Sequence, residues 1–256
     1  MEIDLIVCQP YHVDYPLFRH KLERYLDHVQ HVYIALTQQT MPEPHYAQFI
    51  MDALPFVRFV KPSEKYDDWR NNAVKDVLDN FSRSSHVLFI EQDFLIKDPN
   101  DFFYRILAAA RQHDIVCYDE NGRIHPAFAL VKRELINKTS MNFSVHPTID
   151  HFGFFFKELL PLGSSIELKE LRLENKVDFY HIAGLTHNFY NFWHDAPLYK
   201  QDEWVAYNYL CQGIKNGFKQ SPQWMLVMQE IENKYGKGDY EGFLKDFFPS
   251  KPQKEE

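Results

Sequence analysis

Two acidic side chains, Glu91 and Asp93, leave the apolar run Val87-Leu88-Phe89-Ile90 with Gln92 between them. A run of that kind reads as a strand buried on both faces of a parallel sheet. Alternation then puts Glu91 and Asp93 on one side, where two carboxylates can grip a hard divalent cation and, through it, a diphosphate. Acidic residues also end strands and cap helices, so the triplet alone leaves both roles open. Upstream, Asp68-Trp69-Arg70-Asn71-Asn72-Ala73 opens a helical pattern with one guanidinium and two amides. That set suits phosphate oxygens or sugar hydroxyls, and it equally suits a solvated helix start.

The elements that must position these groups follow from periodicity. Short β-branched runs alternate with helical spacing in the first half of the chain, the pattern of a parallel sheet wrapped by helices. Strands are expected at Ile3 to Val7, Val32 to Leu36, Phe56 to Val60, Val87 to Ile90 and Ile115 to Cys117. The helix before the central strand is expected to be capped by Asp67 or Asp68 and to bury Trp69, Ala73, Val77, Leu78 and Phe81. Another, from about Pro99 to His113, carries Phe102, Phe103, Ile106, Leu107 and Ala110. Strands at Ala127 to Val131 and Val177 to Ile182 follow, with a short helix near Phe152 to Leu160 between them. From about Asp202 the chain is helical in character.

Composition removes several function classes. The 256 residues hold 36 acidic and 28 basic side chains, a net charge of −8 that argues against nucleic acid or an anionic membrane as the main partner. Cys8, Cys117 and Cys211 are far apart and form no C-x-x-C, so each reads as a small buried hydrophobe. The chain shows no G-x-G-x-x-G after the first strand, no P-loop, no G-x-S-x-G and no H-E-x-x-H. Dehydrogenase, NTPase, serine hydrolase and zincin chemistry thus lack their signatures. No basic n-region precedes the first strand and no apolar run reaches membrane-spanning length, so a cytoplasmic location is expected.

In the order of its parts the chain resembles the nucleotide-sugar glycosyltransferases of the GT-A fold, above all the inverting family 2. Members of that family begin with a strand ending in a Pro/Tyr/Asn turn, matched by Gln9-Pro10-Tyr11-His12. They carry R-N-x-G/A at the start of the helix before the central strand, matched by Arg70-Asn71-Asn72-Ala73. Their central strand ends in D-x-D, where this chain has Glu91-Gln92-Asp93, with Glu in the first place. The resemblance covers roughly residues 1 to 190.

That resemblance implies an α/β fold of the GT-A (Rossmann-like) kind, with a mostly parallel central sheet flanked by helices and a helical C-terminal region. It implies a catalytic domain over 1–190 and a helical extension over 191–256. Pro10 and Tyr11 would line the base pocket, and Arg70, Asn71 and Asp93 would meet the donor diphosphate. Asp93 and Glu91 would hold Mn²⁺ or Mg²⁺, joined by His181 or His187 from Phe179-Tyr180-His181-Ile182-Ala183-Gly184-Leu185-Thr186-His187. Asp150, in Ile149-Asp150-His151-Phe152-Gly153, stands where the family keeps its catalytic carboxylate; it also stands where a helix starting near His151 would have its N-cap. The implied activity is transfer of a sugar from a nucleotide-diphosphate donor to a glycan or other hydroxyl acceptor. Two other readings use the same residues: a catalytically silent nucleotide- or carbohydrate-binding module, and a metal-dependent nucleotidyltransferase.

Overall fold

Among the described residues, nine strands and four α-helices are built largely from the apolar runs named above. The structure, a computed structural model, describes residues 1–8, 24–25, 27–35, 57–60, 69–91, 94–119, 123–143, 152–175 and 177–181. The strands are β1 (Ile3–Cys8), β2 (His31–Ala35), β3 (Val57–Val60), β4 (His86–Glu91), β5 (Phe94–Ile96), β6 (Ile115–Asp119), β7 (Ile124–Lys132), β8 (Ser165–Glu167) and β9 (Phe179–His181). The helices are α1 (Trp69–Asp76), α2 (Pro99–Ala110), α3 (Arg133–Ile136) and α4 (Gly153–Leu159). The 191–256 region, and most of the helices expected between β1 and β3, lie outside the described residues.

Seven strands form one sheet in the order β3-β2-β1-β4-β7-β6-β8, and β5 pairs with β9 in a separate antiparallel ribbon. Within the large sheet β7 runs against both neighbours, while every other pairing is parallel. The α/β class and the mostly parallel sheet expected from the sequence are therefore observed. Alternation along the central strands feeds two apolar layers. Leu88 and Ile90 face Phe102, Phe103 and Ile106 of α2, with Leu168, Leu173 and Phe179. Val87 and Phe89 face the opposite layer, built by Ala73, Val74, Val77 and Leu78 with Phe143, Phe152, Phe155 and Phe156. Among the described residues no helix is long and apolar enough to cross a membrane.

Three local departures from the expected elements have physical causes. After Asp76 the first helix widens into one π turn, Val77–Phe81, closed by Ser82 N–H donating to the Val77 carbonyl at 2.8 Å. The added residue per turn rotates Phe81 off the buried stripe, leaving it 50% exposed, while Ala73, Val77 and Leu78 stay buried. β7 begins at Ile124, three residues earlier than Ala127, and takes in Pro126. A strand tolerates proline where no ladder N–H is needed; here pairing with β4 starts at Phe128, and the β6 register shifts between Cys117 and Asp119. Last, α4 begins at Gly153 with Phe152 in the N-cap position at φ 66, so Asp150 is not the cap of that helix.

An acidic residue is buried near the amino edge of the sheet. Asp4 of β1 has no exposed surface, and its carboxylate accepts hydrogen bonds from Ser82 Oγ (2.7 Å), Arg83 N (3.0 Å), Ser84 N (3.1 Å) and Ser84 Oγ (2.8 Å). His31 Nδ1 meets it at 3.0 Å. Burial pushes the carboxyl up, but the donors from Ser82, Ser84 and His31 outweigh it and hold the group below its ordinary value. Asp4 thereby fixes the 82–85 loop that delivers the chain into β4.

Candidate active site

β4 carries its apolar run to the carboxyl edge of the sheet and ends on Glu91, register partner of Cys8 at the end of β1. In open α/β sheets that edge is where ligands bind. Glu91 is drawn inward, its side chain 13% exposed, and two histidines from other elements approach it. His181 is the last residue of β9; its side chain is 4% exposed and its Nε2 lies 3.9 Å from Glu91 Oε2. His125 is the second residue of β7 and is 7% exposed. Donor atoms of Glu91, His125 and His181 all lie within 4.8 Å of one another.

An aromatic frame sets this geometry. Phe94 stacks on Phe179 at 4.6 Å and on Phe128 at 5.2 Å, which ties the β5–β9 ribbon to β7. With Phe179 fixed, His181 two residues on faces the same side. Tyr118 packs edge-on against both imidazoles, at 5.7 Å from His125 and 5.4 Å from His181, and the two imidazole centroids are 4.5 Å apart. The backbone N–H of His181 donates to Asn175 Oδ1 at 3.1 Å.

The donor chemistry fits a divalent metal ion. One carboxylate and two imidazoles form a mixed oxygen and nitrogen set of the kind first-row divalent ions accept. Two ligand atoms each about 2.1 Å from a shared ion lie at most about 4.2 Å apart. The Glu91–His181 separation of 3.9 Å falls inside that limit, and a spacing at the 4.8 Å bound of the cluster shortens by about 0.6 Å to reach it. His125 differs from His181 in one respect: its Nδ1 accepts the Ala127 N–H at 3.1 Å. The neutral ring then carries its proton on Nε2. To ligate through Nε2 it must move that proton to Nδ1 and give up the Ala127 bond.

Of the residues expected at the site, the structure brings together Glu91 and His181. Arg70 and Asn71 lie in the first turn of α1. That helix leads through the π turn and the 82–85 loop into the amino end of β4, so its first turn starts from the carboxyl edge. Pro10, Tyr11, Asp93, Asp150 and His187 lie outside the described residues. His125 was not expected. Its signal is faint: a histidine followed by Pro126, which reads as a break before the strand rather than as part of it.

The fold and this edge cluster define an α/β protein with a carboxylate–histidine site at the carboxyl ends of its strands. No family model matches the chain, and no curated protein matches it. Solved structures similar to it are glycosyltransferases. The galactosyltransferase LgtC with donor and acceptor sugar analogs is 9% identical with a TM-score of 0.37, the match covering 55% of this chain and 61% of LgtC. The chain thus spans less than two thirds of LgtC. TarS 1–349 of S. aureus in complex with UDP is 10% identical with a TM-score of 0.46, covering 93% of this chain and 74% of TarS 1–349. GlyE of Streptococcus pneumoniae TIGR4 is 14% identical with a TM-score of 0.44, covering 91% and 63% of the respective chains.

Proposed function

We propose that this protein is a glycosyltransferase that moves a sugar from a nucleotide-diphosphate donor to a hydroxyl acceptor, using a divalent cation held by Glu91, Asp93 and His181. The observation that carries the reading is the buried Glu91 at the end of the central strand with His181 Nε2 3.9 Å away and His125 beside them. A set containing imidazole favours Mn²⁺ over the harder Mg²⁺, which prefers oxygen and water. When bound, the cation neutralises negative charge on the departing diphosphate.

The chain's own residues supply the remaining roles. Pro10 and Tyr11, which follow β1 in the sequence, bound the base of the donor. Arg70 and Asn71, at the start of α1, donate to its phosphate oxygens and stabilise the charge that develops there. Asp150 takes the proton of the acceptor hydroxyl as its oxygen bonds to the anomeric carbon and the bond to the diphosphate breaks. That assignment corresponds to inversion. His187 is the alternative to His181 as the nitrogen ligand.

The test is release of free nucleoside diphosphate from a panel of sugar donors in Mn²⁺, run beside calorimetric binding of the same nucleotides. Turnover that falls at least a hundredfold in Asp150→Asn, with donor affinity within about threefold of the unaltered chain, supports the reading. Binding without any diphosphate release assigns the protein to the silent binding modules. Pyrophosphate release from a nucleoside triphosphate and a sugar phosphate assigns it to the nucleotidyltransferases.

A further inference from the structure

The opposite end of β4 carries a second constellation. A cleft of about 500 Å³ is lined there by Arg83, Ser84, Ser85, His86, Lys132, Arg133, Glu134 and Asn137. His86, in its wall, and Glu91 are the first and last of the six residues of β4, about 17 Å apart along the strand. In a chain of net charge −8, this cleft gathers three cationic side chains against one anionic one.

Two of those cations are unusual in their partners. Arg83 donates to the carbonyls of Leu78, Asp79, Asn80 and Ser82, and Arg133 to the Leu78 carbonyl, Ser82 Oγ and Asn137 Oδ1. Among the described residues neither guanidinium meets a carboxylate within ion-pair distance. Burial, and next the charge of Arg83, depress the Arg133 pKa from its ordinary value. The carboxylates of Asp4 and Asp79 offset those two effects only in part, and adjacent like charges that no carboxylate pairs directly are relieved further by an anion. Lys132, by contrast, is paired with Asp114 at 2.6 Å.

His86 supplies a feature that narrows the choice of anion. It is 8% exposed and forms part of the cleft wall. Ser85 Oγ–H donates to the Glu2 carbonyl at 3.1 Å, so at 3.0 Å from His86 Nδ1 the same oxygen accepts, and Nδ1 carries the ring proton. Nε2 is then a bare acceptor, and this buried atom has no hydrogen-bond partner. A buried polar atom left unpaired is destabilising, and a ligand supplying a proton relieves it.

We propose that this cleft binds inorganic phosphate as hydrogen phosphate, its anionic oxygens meeting Arg83 and Arg133 and its remaining P–OH donating to His86 Nε2. The acceptor separates this ion from its chemical neighbours. Sulfate has the same shape and charge but no proton to give, and a phosphate monoester, with its second ionisation near 6, has lost its own by about pH 8. Each would set a lone pair against the Nε2 lone pair.

The experiment is calorimetry of phosphate and of sulfate on the full chain at about pH 8, in EDTA and in the Glu91→Gln background, which removes metal-assisted binding at the other edge. Phosphate is expected to bind once per chain, with sulfate and methyl phosphate at least tenfold weaker, about 1.4 kcal/mol. Arg83→Gln should weaken phosphate and sulfate by the same factor, keeping the preference. His86→Leu should erase the preference while leaving sulfate affinity within about twofold. If His86→Leu fails to fold, the ratio in the unsubstituted histidine protein decides. No phosphate binding up to about 10 mM, or equal affinity for sulfate, overturns the proposal.

Discussion

Asp4 and Glu91 are both acidic residues drawn into the sheet, one in β1 and one at the end of its neighbour β4, and they are held in opposite ways. Asp4 faces five donor atoms between 2.7 and 3.1 Å. A carboxylate offers about four lone-pair sites, so no place remains on it for a cation. Glu91 instead stands 3.9 Å from His181 Nε2, beyond hydrogen-bond length and within the span of two ligands on one ion. Burial alone does not tell a structural carboxylate from a functional one. The spacing and chemistry of what surrounds it do.

The strongest way to break this comparison is at Asp4. Asp4→Ala leaves two serine hydroxyls and two backbone N–H groups without their acceptor, and breaking a buried charged network typically costs about 3–5 kcal/mol. For a chain of this size the melting temperature should fall by roughly 6–20 °C, while Mn²⁺ affinity in the folded fraction stays as it was. A small shift in a melting curve would show that Asp4 is not the peg for the 82–85 loop.

Glu91→Gln should show the reverse pattern. Mn²⁺ affinity by calorimetry is expected to drop at least tenfold, about 1.4 kcal/mol, with the metal-free melting temperature falling far less than in Asp4→Ala, because glutamine keeps the shape of the side chain and one acceptor oxygen. Equal losses of stability in the two variants would erase the distinction drawn between them.

The two histidines sharpen the contrast further. His181→Ala should weaken Mn²⁺ about tenfold, with the loss growing as pH falls because a protonated imidazole cannot coordinate. His125→Phe should cost less, about threefold, because recruiting His125 requires breaking its Ala127 bond, worth about 1 kcal/mol. Titrations of both variants side by side check the order, and a larger loss at His125 would reverse it.

The smallest effect is expected at acid pH, away from the site. Lys132 first, and then Ser164, hold the Asp114 carboxyl down to about 2 from an ordinary 3.8. A carboxyl lowered in the folded state contributes stability above its unfolded value, lost as pH falls through the folded one. Melting temperature should therefore decline between about pH 4 and about pH 2, and Asp114→Asn should flatten that limb slightly while leaving the neutral plateau nearly level.

The parallel half of the sheet was legible because its strands are buried on both faces and carry almost unbroken apolar runs, as in Ile3 to Val7 and Val87 to Ile90. The rest was written less plainly. β8 is three residues of mixed character, Ser165–Glu167, recruited by pairing with β6. β5 and β9 are each three residues long and depend on the stacking of Phe94 and Phe179, a contact between residues far apart in sequence. At the site, Glu91 stood out because it directly follows an apolar run, and His181 because the resemblance to GT-A enzymes implies a histidine ligand in its stretch. His125 did not, since its approach to Glu91 follows from β7 running antiparallel between β4 and β6, a pairing that no local pattern encodes.

The most direct test of the central claim is pulsed electron paramagnetic resonance of the full chain loaded with one equivalent of Mn²⁺. Imidazole ligation predicts ¹⁴N coupling to the bound ion, reduced in His181→Ala and absent when His125→Phe is added. Mn²⁺ bound without nitrogen coupling, or coupling unchanged in the double variant, would contradict a metal site at Glu91 and His181.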